Sequence, residues 1–236
     1  MTLGEHLAEL RNRIIIAVFA FVVAAIVMFI VYPHVLHVLQ QPYCKILPKG
    51  QKCTLYVTGP LDPLSLRIHI ASYGGLVLSG PVILWEFWRF ITPGLKRNEK
   101  RYVIPFIGAS ILLFCAGATL AYFTFPHALK FLNAIGGPTL QDIYNPNSYI
   151  GLIVALMFVF GVTFEFPVIL VSLELVGVLT PKRLSSWRRW AIVLITVVAA
   201  VITPSGDPFS MLALAVPLYF FYEISIILGK ILRRNR

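Results

Sequence analysis

The sequence predicts an all-α integral membrane protein with six transmembrane helices, on three observations. Hydrophobic residues make up 58% of the chain and charged residues only 13%, a balance that excludes an ordinary soluble core. Apolar runs recur at spanning length, about 20 residues for a hydrocarbon core of roughly 30 Å. Lys and Arg gather on alternate connections, as the positive-inside rule requires. The formal charge of +10 is therefore a topology signal. A nucleic-acid binder would need a solvated basic face with groove-reading or stacking modules, whereas these cations sit between apolar runs.

The opening "MTLGEHLAELRNR" is polar and amphipathic. Thr2 and Glu5 have capping-box spacing, and Leu3, Leu7, Leu10 and Ile14 fall on one helical face, so residues 1–13 are expected as an interfacial helix leading into a first span at 14–32. A cleavable leader would begin basic and carry a shorter apolar stretch, so this segment is expected to stay attached. A first extracytoplasmic loop follows at 33–68, with Pro42, Pro48, Pro60 and Pro63. Cys44 and Cys53, both in this loop on the oxidising side, are candidates for a disulfide that pins it; Cys115 is expected as a small buried packing residue.

Further spans are expected at 69–88, 102–125, 148–177, 190–203 and 208–228, within one membrane domain over 1–236. In the second, Gly74, Gly75, Gly80 and Pro81 predict close helix packing and a kink, and Trp85, Phe87, Trp88 and Phe90 an interfacial aromatic belt. The fifth, "WAIVLITVVAAVIT", reaches only about 21 Å and cannot cross an undeformed bilayer. With the N-terminus inside, fifteen of the twenty cations lie on the inner side, and only Lys45, Lys49, Lys52, Arg67 and Lys130 outside. Both termini are thus expected in the cytoplasm.

The acids are few enough to weigh singly. Glu9 lies off the apolar stripe of its helix, where it either pairs with Arg13 at i,i+4 or serves a ligand. Glu99 stands among four cations in "KRNEKR"; it either stabilises the first turn of the third span, capped by Asn98, or pairs with planar guanidinium groups, which carboxylates bind bidentately. Glu165 falls mid-membrane, where a carboxylate costs about 2.5–3.5 kcal/mol, so a cavity, partner or polar neighbour is expected beside a kink at Pro167. Asp207 ahead of Pro208 reads as a helix N-cap. His6, His34, His37, His69 and His127 are scattered, and no nucleophile, phosphate-binding or metal motif occurs, so neither an enzyme nor a cofactor or metal protein is expected.

The stretches "HLAELRNR", "LSGPVILWEFWRFITPGLKRNEKR", "FGVTFEFPVIL", "ITPSGD" with "AVPLYFFYE", and "YEISIILGKIL" together resemble the TatC family, in order and over essentially the whole length. The resemblance implies a cupped, glove-like six-helix membrane protein with short helices five and six. It implies a receptor, in a bacterial cytoplasmic membrane, for signal peptides bearing consecutive arginines on folded cargo. Such a receptor works with TatA and, where present, TatB, as a homo-oligomer in contact with membrane lipids and driven by the proton motive force. Carried residue by residue, the signal-peptide site falls on Glu9, Arg11, Phe90, Pro93, Leu95, Glu99 and Arg101. The intramembrane acid and the third-span tyrosine fall on Glu165 and Tyr122, and the extracytoplasmic side takes Pro42, Leu64 and Asp207. Leu64 replaces a common Phe and Trp85 a common Tyr, and "TPSGDPFS" is one residue longer than the usual form. The rival from another class is a proton-coupled small-solute transporter using Glu165; the two halves show no inverted repeat to support it.

Overall fold

The computed structural model describes residues 3–44, 53, 55–91, 103–136, 144–203 and 207–234. Among them nine helices follow in order: α1 (Leu3–Ile30), α2 (Tyr32–Cys44), α3 (Asp62–Ile91), α4 (Val103–Gly136), α5 (Pro146–Thr163), α6 (Phe166–Val176), α7 (Pro181–Ser186), α8 (Arg188–Ile202) and α9 (Pro208–Arg234). Five stretches of the described residues are long and apolar enough to cross a bilayer: α1, α3, α4, α5 continued by α6, and α9. The short fifth segment is α8, whose 15 residues rise about 22 Å.

Several boundaries differ from expectation. Residues 3–30 form one helix, with no separation of an interfacial piece from the first span. The expected loop at 33–68 holds α2, and α3 begins at Asp62 instead of 69. Proline misled here: Pro33 and Pro63 sit in first turns, where a missing N–H costs nothing, and Pro42 sits in the last turn of α2. α4 carries Pro126 in its interior and runs past 125 to Gly136. The span expected at 148–177 is broken between Thr163 and Phe166, one turn ahead of Pro167, which occupies the first turn of α6. Cys115 is exposed, not buried. Trp88 is buried as well, donating from Nε1 to Ser110 Oγ at 2.9 Å and stacking on Phe106; it belongs to the interior and not to a belt.

The chain packs as two compact units, Met1–Leu112 with Ile143–Phe158, and Leu113–Asp142 with Val159–Arg236. In the first, α1 lies along α3. Ala17, Ala20 and Ala24 form a small-residue stripe on α1 at helical spacing, and a Cβ at Gly75 would come within 2.9 Å of the Ala25 Cα, so the backbones meet at glycine-only distance. At the end of this unit where α3 begins, Asp62 Oδ2 accepts from Thr58 N (2.9 Å), Gly59 N (2.8 Å) and Asn145 Nδ2 (3.0 Å). Nearby, the Tyr149 hydroxyl donates to Leu39 O (2.9 Å) and accepts from Tyr43 N (3.1 Å).

In the second unit α6 packs on α9 around a core that includes Leu170, Leu218 and Ile226. The Tyr222 hydroxyl donates to Leu184 O at 2.6 Å, which fastens α7 to α9. Gly177 ends α6 in the left-handed region at φ 88°, a conformation glycine adopts without a Cβ penalty. The carboxylate of Glu174, 1% exposed, occupies the space where a Cβ at Gly229 would stand.

Candidate functional site

The face of α1 that meets α3 continues beyond its alanines into Arg13 and Glu9, one and two turns further on. Because the two helices run antiparallel about the Ala25–Gly75 contact, Glu86 on α3 reaches the level of Arg13. Arg13 Nη1 donates to Glu86 Oε2 at 2.8 Å and Nη2 to Glu9 Oε1 at 3.2 Å. The side chains of Arg13 and Glu9 are 18% and 19% exposed and that of Glu86 only 8%. A carboxylate as deeply buried as Glu86 needs a paired cation, and Arg13 supplies it. Glu9 holds the longer bond, and its Oε2 is buried without a hydrogen-bond partner among the described residues. One guanidinium is therefore clasped by acids from two helices, with acceptor capacity to spare.

Arg11 is exposed on the same helix, and Phe90 is half-buried in the last turn of α3. Pro93, Leu95, Glu99 and Arg101 lie outside the described residues. The helices that flank that segment, α3 and α4, are joined by the Trp88–Ser110 bond.

Near the other end of the first unit, Pro42 is buried in α2 and Leu64 is exposed in the first turn of α3. Cys44 and Cys53 are joined in a disulfide, their Cα atoms 5.3 Å apart. The second unit holds Glu165, Tyr122 and Asp207. Glu165 is buried at the break between α5 and α6, where its backbone C=O accepts from Ile169 N. Tyr122 is half-buried on α4. Asp207, fully buried, caps α9 by accepting from Ser210 N at 2.7 Å. Among the described residues no three metal-ligating side chains converge.

The model of the Sec-independent protein translocase protein (TatC) family matches residues 5–217. The chain belongs to the TatC family. The chain is 42% identical to the TatC of Frankia casuarinae over 97% of its own length and 65% of that protein's. It is 41% identical to the TatC of Aquifex aeolicus over 100% and 98%. The chain thus spans just under two thirds of the first relative and nearly all of the second. A solved structure described as the twin-arginine translocase receptor TatC superposes with a TM-score of 0.79 at 40% identity, covering 95% of this chain and 99% of that one. The TatC fold is that of an all-helical, multi-pass membrane protein. Membership places the chain among transport proteins and not among enzymes.

Sequence reasoning missed Glu86. Glu9 and Glu99 stand out in the sequence as the acids of the basic end, although Glu86 lies eleven residues beyond Gly75 on a helix expected to pack closely. Antiparallel counting from that glycine would have set it beside Arg13.

Proposed function

We propose that this TatC-family chain captures signal peptides with paired arginines, through Glu9 and Glu99 on the cytoplasmic side of a bacterial inner membrane. The observation that carries the proposal is the half-used carboxylate of Glu9: Arg13 makes its shorter bond to Glu86 and leaves Glu9 Oε2 as a desolvated acceptor. Leaving such an acceptor unmet costs about 1–3 kcal/mol, which an incoming guanidinium recovers. Arg11, Phe90, Pro93, Leu95 and Arg101 border the peptide in this reading. The fifteen inner cations orient both termini to the cytoplasm. Arginine outperforms lysine because only its planar fork engages a carboxylate through two parallel bonds.

The apolar part of the peptide then runs towards the Glu165 and Tyr122 region, where TatA and, where present, TatB join, and the proton motive force drives transport of the folded cargo. Pro42, Leu64 and Asp207 lie on the extracytoplasmic side, with the Cys44–Cys53 bond holding that loop. The decisive experiment places a photo-crosslinking side chain at position 99 of the membrane-embedded chain and adds a signal peptide with two arginines or with two lysines. Crosslinking to the arginine peptide alone is expected; equal yields would overturn the assignment of the acids.

A further inference from the structure

In the second unit a groove follows α8. Its wider end, 580 Å³, is walled by Leu170, Leu184, Trp187, Trp190 and Tyr222. A narrower hollow of 250 Å³, reaching Val198 and Leu218, shares Phe166, Leu194 and Ile195 with it. From Trp187 to Val198 the helix rises about 16 Å, close to half of the roughly 30 Å hydrocarbon core and so about the depth of one leaflet. On the flank of α8 beside the groove, Ile192, Val193, Val197 and Val201 are exposed, as a lipid-facing helix requires.

The wide end opens beneath a cationic collar. Lys182, Arg183 and Arg189 are exposed, and the Arg183 guanidinium lies 5.5 Å from the Trp187 ring. Lys182 and Arg189 make no ion pair among the described residues. Glu223, the carboxylate that meets the neighbouring Arg188, is engaged by it at 2.8 Å. The collar is held in place from below: Tyr222 bonds the Leu184 carbonyl, Thr180 Oγ1 accepts from Arg183 N, and Trp187 N is bonded back to Arg183 O and Leu184 O. Indole rings of this kind settle where hydrocarbon meets headgroups.

We infer that this groove is a binding site for an anionic phospholipid, with one acyl chain along α8 and the phosphate against Lys182, Arg183 and Arg189. A partner's apolar helix would fill the hollow but leave three cations without a counter-charge, whereas an anionic lipid satisfies both halves at once. Surface Lys and Arg each attract anionic lipid enough to enrich it several-fold, and the groove adds a fixed seat for the chain.

Tryptophan quenching in nanodiscs tests this on the full-length chain. Of its four tryptophans, Trp88 is buried and Trp85 is removed by Trp85→Phe, so changes in quenching report Trp187 and Trp190. Bromines are carried either on a minor fraction of phosphatidylglycerol or on the same fraction of phosphatidylcholine. Phosphatidylglycerol is expected to quench as though enriched on the order of fivefold over its bulk share. Lys182→Gln with Arg183→Gln and Arg189→Gln should return it to the bulk level. Arg189→Gln alone, an exposed change, should lower the excess and serves if the triple variant folds poorly. Equal quenching by the two lipids, as a groove meant for a partner's helix would give, or an excess indifferent to these substitutions, would overturn the site.

Discussion

Glu86→Gln is the perturbation that most directly probes the coupling between architecture and peptide capture. Glutamine keeps the shape of the side chain but removes the charge that holds Arg13 Nη1 at 2.8 Å. Both side chains are at least four-fifths buried, so water compensates poorly, and a hydrogen bond to a charged group is worth about 1.5–3 kcal/mol. Glu9 still offsets the guanidinium, which keeps the loss below the roughly 3–5 kcal/mol of a wholly abandoned buried charge. The expected outcome is a lowered Tm in detergent by about 1.5–3 kcal/mol equivalent. Arg13 then turns fully to Glu9 and occupies the acceptor that the proposed function assigns to the peptide. Affinity for a fluorescent twin-arginine peptide in nanodiscs, read by anisotropy, should fall about tenfold, the loss of roughly 1.4 kcal/mol. Adding Arg13→Gln to Glu86→Gln frees Glu9 again and should restore binding. Unchanged affinity in the single variant, or no recovery in the double, would refute the reasoning.

Three further outcomes are expected. Gly75→Ala drives a methyl to within 2.9 Å of the Ala25 Cα and should destabilise the first unit by about 1–3 kcal/mol, seen as a lower Tm with peptide affinity reduced in step. Cys53→Ser opens the ring closed by Cys44–Cys53. It should cost about 2.5–3 kcal/mol for a loop of this length, and added reductant should lower the Tm of the parent chain but not of the variant. Asp207→Ala removes the bond to Ser210 N and should cost about 0.5–2 kcal/mol, with Asp207→Asn losing less; thermal unfolding of the two variants side by side gives the difference.

Membrane class, the short fifth helix and close glycine-mediated packing of α3, though not α1 as its partner, were legible because each depends on composition or on spacing along one helix. Asp207 was legible as a cap for the same reason, since its bond to Ser210 spans three residues. What escaped depends on neighbours remote in sequence. Glu86 meets Arg13 across 73 residues, and Trp88 is drawn from an expected belt into the interior by Ser110. Proline-rich stretches around 33–44 and 62–64 read as loop from sequence, although proline at a first turn is compatible with helix. Arg13 reads locally only as a partner for Glu9, because nothing in its own helix shows that a second acid takes the shorter bond.

The seat of Glu174 against Gly229 constrains how these positions can change over evolutionary time. The acid fills a notch cut by the absent side chain, so α6 and α9 mesh in one register, and sliding α9 by a turn would bring Ser225 or Ile226, buried one turn back on the same helix, against the tooth. A larger residue at 229 is admissible only alongside a smaller one at 174. The two sites should therefore trade volume as a pair across related chains, each silent about the other until both are compared.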